Sequence, residues 1–113
     1  DNEKILKAIN KKTKAIFVVH LYGNMFNVKK LKNSLRAKKL KVTIIEDAAH
    51  SFESKFDGKN VGTYSDVSIF SFYATKNITC AEGGAIITNN KKLYNLINQT
   101  RSHGLSKNFT QRF

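Results

Sequence analysis

The sequence predicts an α/β fold in which a mostly parallel sheet carries one antiparallel strand. Three observations lead there. Helix-like and strand-like segments alternate through the first half of the chain, joined by short connections, an order that favours parallel strands with right-handed crossovers. The run Ala15 to Val19 (AIFVV) is apolar throughout and rich in β-branched residues, as in a strand buried on both faces. Between Tyr73 and Ala85 there is too little helical pattern for a crossover, so the strand that follows is expected to return antiparallel.

Taken in order, Asn2 to Asn10 places Ile5, Leu6 and Ile9 at helical spacing. Ala15 to Val19 is the first strand, and His20-Leu21-Tyr22-Gly23-Asn24 is the loop that leaves its C-terminal end. Asn27 is the expected N-cap of a helix from about Val28 to Leu40, with Val28, Leu31 and Leu35 on its buried face. Val42 to Ile45 is the next strand and runs directly into Glu46-Asp47. Phe52 to Phe56, Asp57-Gly58 and Lys59 to Val61 read as a small hairpin with a tight turn. Val67 to Tyr73 is a core strand and Ala85 to Thr88 its antiparallel neighbour. Lys91 to Arg101, with Leu93, Leu96 and Ile97 inward, closes the pattern, and His103-Gly104 is its expected stop. With no proline in the chain, the element boundaries rest on glycines and periodicity alone.

A length of 113 residues allows one domain with a real core. The chain starts at Asp1 and ends at Gln111-Arg112-Phe113, which reads as a piece of a longer protein. No apolar run approaches the ~20 residues of a bilayer span, and no secretory pattern opens the chain, so no membrane role is expected. A single cysteine, Cys80, excludes an internal disulfide and fits a reducing cytoplasm. The Asn-x-Ser/Thr matches at Asn77, Asn98 and Asn108 are then chance. The net charge of +12 invites a nucleic-acid reading. Its lysines, however, are scattered as pairs such as Lys11-Lys12, Lys29-Lys30 and Lys91-Lys92, without the aromatic interleaving of single-strand binders. Nucleic acid is therefore not the expected partner.

The chemistry concentrates at strand ends. Lys76 follows the Val67–Tyr73 run, ahead of the Gly83-Gly84 pair, among residues too apolar and small for an ordinary surface loop. Position alone leaves it a lysine capping a strand; burial or neighbouring charge would make it a nucleophile or base. Asp47 likewise ends a strand, and the C-terminal edge of an open α/β sheet is where ligands bind. His50 lies three residues beyond Asp47, and Ser71 near the end of the Lys76 strand. Singly, each has an ordinary reading: a turn cap, a loop histidine, a strand serine. Together, an acid at one strand end and a lysine beyond a later one suit a pyridoxal phosphate site. There the lysine forms the Schiff base and the acid keeps the pyridine nitrogen protonated.

These residues stand in segments that resemble the central part of the DegT/DnrJ/EryC1/StrS family of sugar aminotransferases, from about Lys14 to Gly104. The segments are VVHLYGN (Val18 to Asn24), IIEDAAHSF (Ile44 to Phe52), GKNVG (Gly58 to Gly62), Asp66, FSFYATKN (Phe70 to Asn77), AEGGAIITN (Ala81 to Asn89) and RSHG ending at Gly104. The resemblance implies the large domain of the type I fold of pyridoxal phosphate enzymes and a homodimer. It implies L-glutamate as amino donor, leaving as 2-oxoglutarate, and a nucleotide-linked keto sugar as acceptor, in amino-sugar biosynthesis for surface polysaccharide, lipopolysaccharide or a glycosylated metabolite. Lys76 matches the Schiff-base lysine, and Asp47 the partner of the pyridine nitrogen. His50 matches the position beside the ring and its phenolic oxygen, and Ser71 a phosphate contact. Related sugar 3-dehydratases carry histidine in place of the lysine, so Lys76 favours transamination.

Within the family, EDAAH and NITCAEGG are similar to members that aminate UDP-linked 4-keto pentoses, which points to a 4-keto sugar. Phe52 to Phe56 and Leu105 to Phe113 depart from that pattern and leave the sugar open. The resemblance also implies parts that residues 1–113 lack: an upstream phosphate-binding segment and ring-stacking aromatic, and a downstream small domain. The 113 residues alone are therefore expected to be inactive and to bind the cofactor poorly. A non-catalytic or truncated homologue with the same fold is the alternative reading.

Overall fold

A computed structural model describes residues 1–101. Helix α1 (Asn2–Ala8) starts where the Asp1 carboxylate accepts from Glu3 N at 2.9 Å, and stops at Ile9, which is already extended. Strand β1 (Ala15–Val19) is followed by a single 3-10 turn, Leu21–Gly23. Helix α2 (Val28–Ala37) is capped as expected, with Asn27 Oδ1 accepting from Lys30 N at 2.8 Å. It ends three residues before Leu40. Lys39 turns left-handed at φ 55°, its N–H donates to Arg36 O at 3.0 Å, and Leu40 N–H donates to Leu35 O at 2.9 Å. That paired closure is a Schellman motif, usually marked by a glycine where this chain has a lysine.

Strand β2 (Thr43–Asp47) continues through both acids. Strands β3 (Lys55–Phe56) and β4 (Lys59–Asn60) form the hairpin. Its turn residues Asp57 and Gly58 sit at φ 54° and 69°, the I′ pattern that suits the twist of paired strands. Strand β5 (Val67–Ser71) stops two residues before Tyr73, because the Phe72 carbonyl accepts from Cys80 N and Thr79 Oγ1, both at 3.0 Å, and draws the following loop back on itself. Strand β6 (Gly84–Ile87) and helix α3 (Lys91–Arg101) complete the described residues. The expected helix stop at His103-Gly104 lies outside them.

The main sheet runs β1-β2-β5-β6, with β1, β2 and β5 parallel and β6 antiparallel to β5, as the sequence predicts. Helices α1 and α2 cover one face. Val28, Leu31 and Leu35 of α2 meet Val18 and Ile44 from β1 and β2, and Ile5 and Leu6 of α1 pack at the margin. Alternation along β1 sends Phe17 and Val19 to the opposite face, where they are 65% and 56% exposed. So AIFVV is covered on one side only among the described residues. The inward face expected of α3 also needs correction. Leu93 and Ile97, one helical row at i and i+4, are half-buried, while Leu96 lies off that row and is exposed.

Leu31 has no exposed surface and sits at the centre of the helix–sheet contact. Leu31→Ala is expected to lower the unfolding free energy by about 2–5 kcal/mol in a urea titration. A loss under about 1 kcal/mol would show that α2 does not pack as described.

Candidate active site

Because β1, β2 and β5 are parallel, their C-terminal ends meet at one edge of the sheet, and antiparallel β6 begins there. The register places Val19, Asp47 and Ile69 in one row, with Ser71 two residues further and opposite Gly84. Asp47 and Ser71 therefore share a face, on adjacent strands and offset by about 7 Å of rise. The loop from Phe72 to Gly83 leaves and re-enters this edge, pinned at its base by Phe72 N donating to Gly83 O at 2.8 Å. Lys76 lies on that loop, half-buried, its N–H closing a turn onto Tyr73 O at 2.9 Å.

Each of the four predicted residues keeps an atom without a hydrogen-bond partner among the described residues. Asp47 Oδ1 accepts from Ala49 N at 3.1 Å, leaving Oδ2. His50 Nδ1 faces Tyr22 N–H at 3.5 Å, which puts the ring proton on Nε2, and the Tyr22 ring stacks on the imidazole at 5.4 Å. Ser71 Oγ accepts from Tyr73 N at 3.4 Å, leaving its O–H to donate elsewhere. Lys76 Nζ forms no ion pair or hydrogen bond among the described residues. Phe52 wedges its ring edge-on between Phe70 and Phe72, at 5.3 and 5.5 Å, and so ties the turn that carries His50 to the end of β5.

Beneath this edge lies a buried polar cluster that sequence reasoning passed over. Glu46 is 2% exposed and His20 fully buried. His20 Nδ1 accepts from Phe26 N at 3.2 Å, so its proton sits on Nε2 and is donated to Glu46 Oε1 at 3.2 Å. Glu46 Oε2 accepts from Gly62 N at 2.8 Å, Ser65 Oγ at 2.7 Å and Ser68 Oγ at 2.6 Å. The serine oxygens are also 2.8 Å apart, but their two hydroxyl protons both reach the carboxylate only if that contact stays unbonded. Burial pushes the Glu46 carboxyl up, yet the hydrogen bonds from His20, Ser68 and Ser65 outweigh it and hold the pKa below the ordinary value. Gly62 is required in this cradle: its φ is +89°, and a Cβ would stand 2.7 Å from Ile87 Cδ1. The signal was present in parity. Glu46 is two residues from buried Ile44, hence on the core side of β2.

Comparison with known proteins gives this edge its context. The model of the DegT/DnrJ/EryC1/StrS aminotransferase family matches residues 1–113. The chain belongs to this family. It is 43% identical over 102 residues to a GDP-perosamine synthase of Escherichia coli O157:H7, covering 90% of the chain and 28% of that protein. Among solved structures it is similar to Helicobacter pylori PseC, an aminotransferase involved in the biosynthesis of pseudoaminic acid, at 37% identity and a TM-score of 0.84, covering 98% of the chain and 30% of PseC. NtdA of Bacillus subtilis, solved with bound cofactor PMP, superposes with a TM-score of 0.85 at 33% identity over 99% of the chain and 25% of its own. The chain thus spans about a quarter to a third of the length of these relatives.

Pyridoxal 5′-phosphate is the cofactor of DegT/DnrJ/EryC1/StrS aminotransferases. The donor set at the sheet edge fits it: a carboxylate oxygen, an imidazole N–H, a hydroxyl and a primary amine, each with an unused atom. Those are the groups that a pyridinium, a phenolate, a phosphate and an aldehyde call for.

The depressed pKa of Glu46 sets a sign for acid stability. A carboxyl whose folded pKa is lowered contributes stability that is fully present above its unfolded value, about 4.3, and is lost as pH falls through the folded value. The unfolding free-energy difference between wild type and Glu46→Gln is expected to be largest near neutral pH and to shrink below about pH 4.3. A difference independent of pH from 7 to 3, measured by urea titration, would contradict a buried ionised Glu46.

Proposed function

We infer that this chain is the central, cofactor-binding part of the large domain of a longer sugar aminotransferase. Its amino donor is L-glutamate, released as 2-oxoglutarate, and its acceptor a nucleotide-linked keto sugar, with the 4-keto position favoured. One observation carries the reading. Asp47, His50 and Ser71 sit at one sheet edge with unused polar atoms, and Lys76 stands on the loop that leaves that edge. The similarity to a synthase named for a GDP-linked amino sugar supports the nucleotide-linked acceptor. The exposed apolar face of β1 also suits a segment that forms only part of a larger domain.

Asp47 Oδ2 would hold a proton on the ring nitrogen through a charge-assisted hydrogen bond. His50 Nε2–H would donate to the phenolic oxygen, and the Ser71 hydroxyl to the phosphate. Lys76 Nζ would anchor the cofactor carbonyl carbon. Bound there, pyridoxal 5′-phosphate supplies an electron sink that lets the C–H bond beside a substrate nitrogen ionise. Lys76 Nζ, once displaced by the incoming amine, would take that proton as a base and return one as an acid. A glutamate half-reaction and a keto-sugar half-reaction would use the same residues in opposite directions. The full protein is read as a homodimer, and as cytoplasmic, where L-glutamate and nucleotide sugars are both at hand.

Borohydride reduction of the full-length protein in the presence of pyridoxal 5′-phosphate is expected to fix the label on Lys76, located by mass spectrometry. A label on another lysine would overturn the site assignment, and no label at all would overturn the enzyme reading. Lys76→Ala is expected to lower turnover on the order of a thousandfold or more. With a UDP- or GDP-linked 4-keto sugar and L-glutamate, 2-oxoglutarate and amino sugar are expected in equal amounts. Amino-sugar formation without 2-oxoglutarate would exclude glutamate as donor.

A further inference from the structure

We propose that Glu46 and His20 form a positioning unit that fixes the level and direction of Asp47, and through it the strength with which the protein holds pyridoxal 5′-phosphate. The proposal rests on the reading of Asp47 as the ring-nitrogen partner. Neither residue touches the candidate site, so any effect on the cofactor must pass through the segments they hold: β2 with Asp47, and the turn after His20 whose Tyr22 meets His50.

Glu46 and Asp47 are neighbours on β2 and point to opposite faces of the sheet. A slip of one residue would exchange those faces and swing Asp47 into the helix layer. The Glu46 carboxylate resists such a slip, because its partners come from outside β2, on both sides of it in the sheet. His20 follows β1, Gly62 follows the hairpin, Ser65 precedes β5, and Ser68 lies within it. The backbone adds two ties at the same level: His20 N donates to Asp47 O at 3.1 Å, and Ala48 N to Ile69 O at 2.8 Å. The ends of β1, β2 and β5 are thereby joined directly beneath Asp47.

The cradle accepts only an anion. Every group facing Glu46 is a donor, and two of them cannot turn round. Gly62 offers a backbone N–H, and the His20 tautomer is fixed by Phe26 N–H at Nδ1. Glutamine would aim its own NH2 at one of these donors, so its preferred response is to rotate away or shift the strand. Glu46→Gln is thus close to isosteric yet removes the lock.

The test uses the full-length protein, freed of cofactor and titrated with pyridoxal 5′-phosphate. It reads the dissociation constant by absorbance, the circular dichroism of the bound cofactor in the visible region, and the urea stability of the cofactor-free form. Glu46→Gln is expected to raise the dissociation constant about tenfold, equivalent to about 1.4 kcal/mol, and to change the visible dichroism. Leu35→Ala, a core variant of α2 with no polar tie to the strand ends, is expected to lose stability while the dissociation constant moves within about twofold. Equal shifts in the two variants at matched loss of stability would reduce Glu46 to a structural residue and overturn the proposal. Asp47→Asn separates the two levels of inference. If it leaves cofactor binding unchanged, the reading of Asp47 fails; if it weakens binding while Glu46→Gln does not, the positioning unit alone fails. Should Glu46→Gln not fold, Ser68→Ala keeps the anion and removes one donor. It is expected to raise the dissociation constant about two- to threefold, and no change would overturn the proposal.

Discussion

A carboxylate enclosed by protein is tolerated only when donors meet it on every side, and in this chain that requirement reaches from Glu46 to four other residues. It explains why a glycine stands at position 62, where the backbone must approach with φ +89° and no Cβ. It explains the serines at 65 and 68, whose hydroxyls reach the same oxygen. It also accounts for a fully buried histidine directly after β1, held at one nitrogen by Phe26 N–H and presenting the other to the acid. Unsatisfied, any one of these groups would cost about 1–3 kcal/mol.

The parallel order of β1, β2 and β5 turns that local requirement into a shared platform. Strands that run the same way deliver their ends to one edge, and at that edge the residue after Glu46 is Asp47. Loops then carry the remaining chemistry outward from fixed points. Phe52, caught between Phe70 and Phe72, sets the turn that bears His50. Tyr22 reaches His50 from the β1 side at φ 53°, a left-handed conformation that costs a bulky residue about 1–2 kcal/mol. Family membership gives these placements a chemical setting, since DegT/DnrJ/EryC1/StrS aminotransferases work with pyridoxal 5′-phosphate.

Much of the fold was legible in the sequence because the signals were local. AIFVV marked β1 to the residue, Asn27 marked its helix, and Asp57-Gly58 marked the hairpin turn. The end of α2 was not legible, since a lysine took the left-handed position where glycine is the usual sign. Nor was the exposure of Leu96, because periodicity gives a direction around a helix axis without saying how wide a stripe the neighbours cover. The predicted site residues could be proposed one by one from position and family register. Strand parity marked Glu46 as core-facing, but its pairing with His20, 26 residues away in sequence, is displayed by no local pattern.

The first strand has a further consequence, for handling rather than catalysis. β1 is an outer strand of the sheet, with one row of backbone groups unpaired among the described residues, and its side chains Phe17 and Val19 lie bare on one face. It has no charge between Ala15 and Val19 and no proline to blunt pairing. Those are the traits of a template for intermolecular strand addition. In a solution of the isolated segment, this uncovered edge is where strand addition between copies is expected to begin. Lys14 and His20 are the nearest polar gatekeepers, and His20 is turned inward.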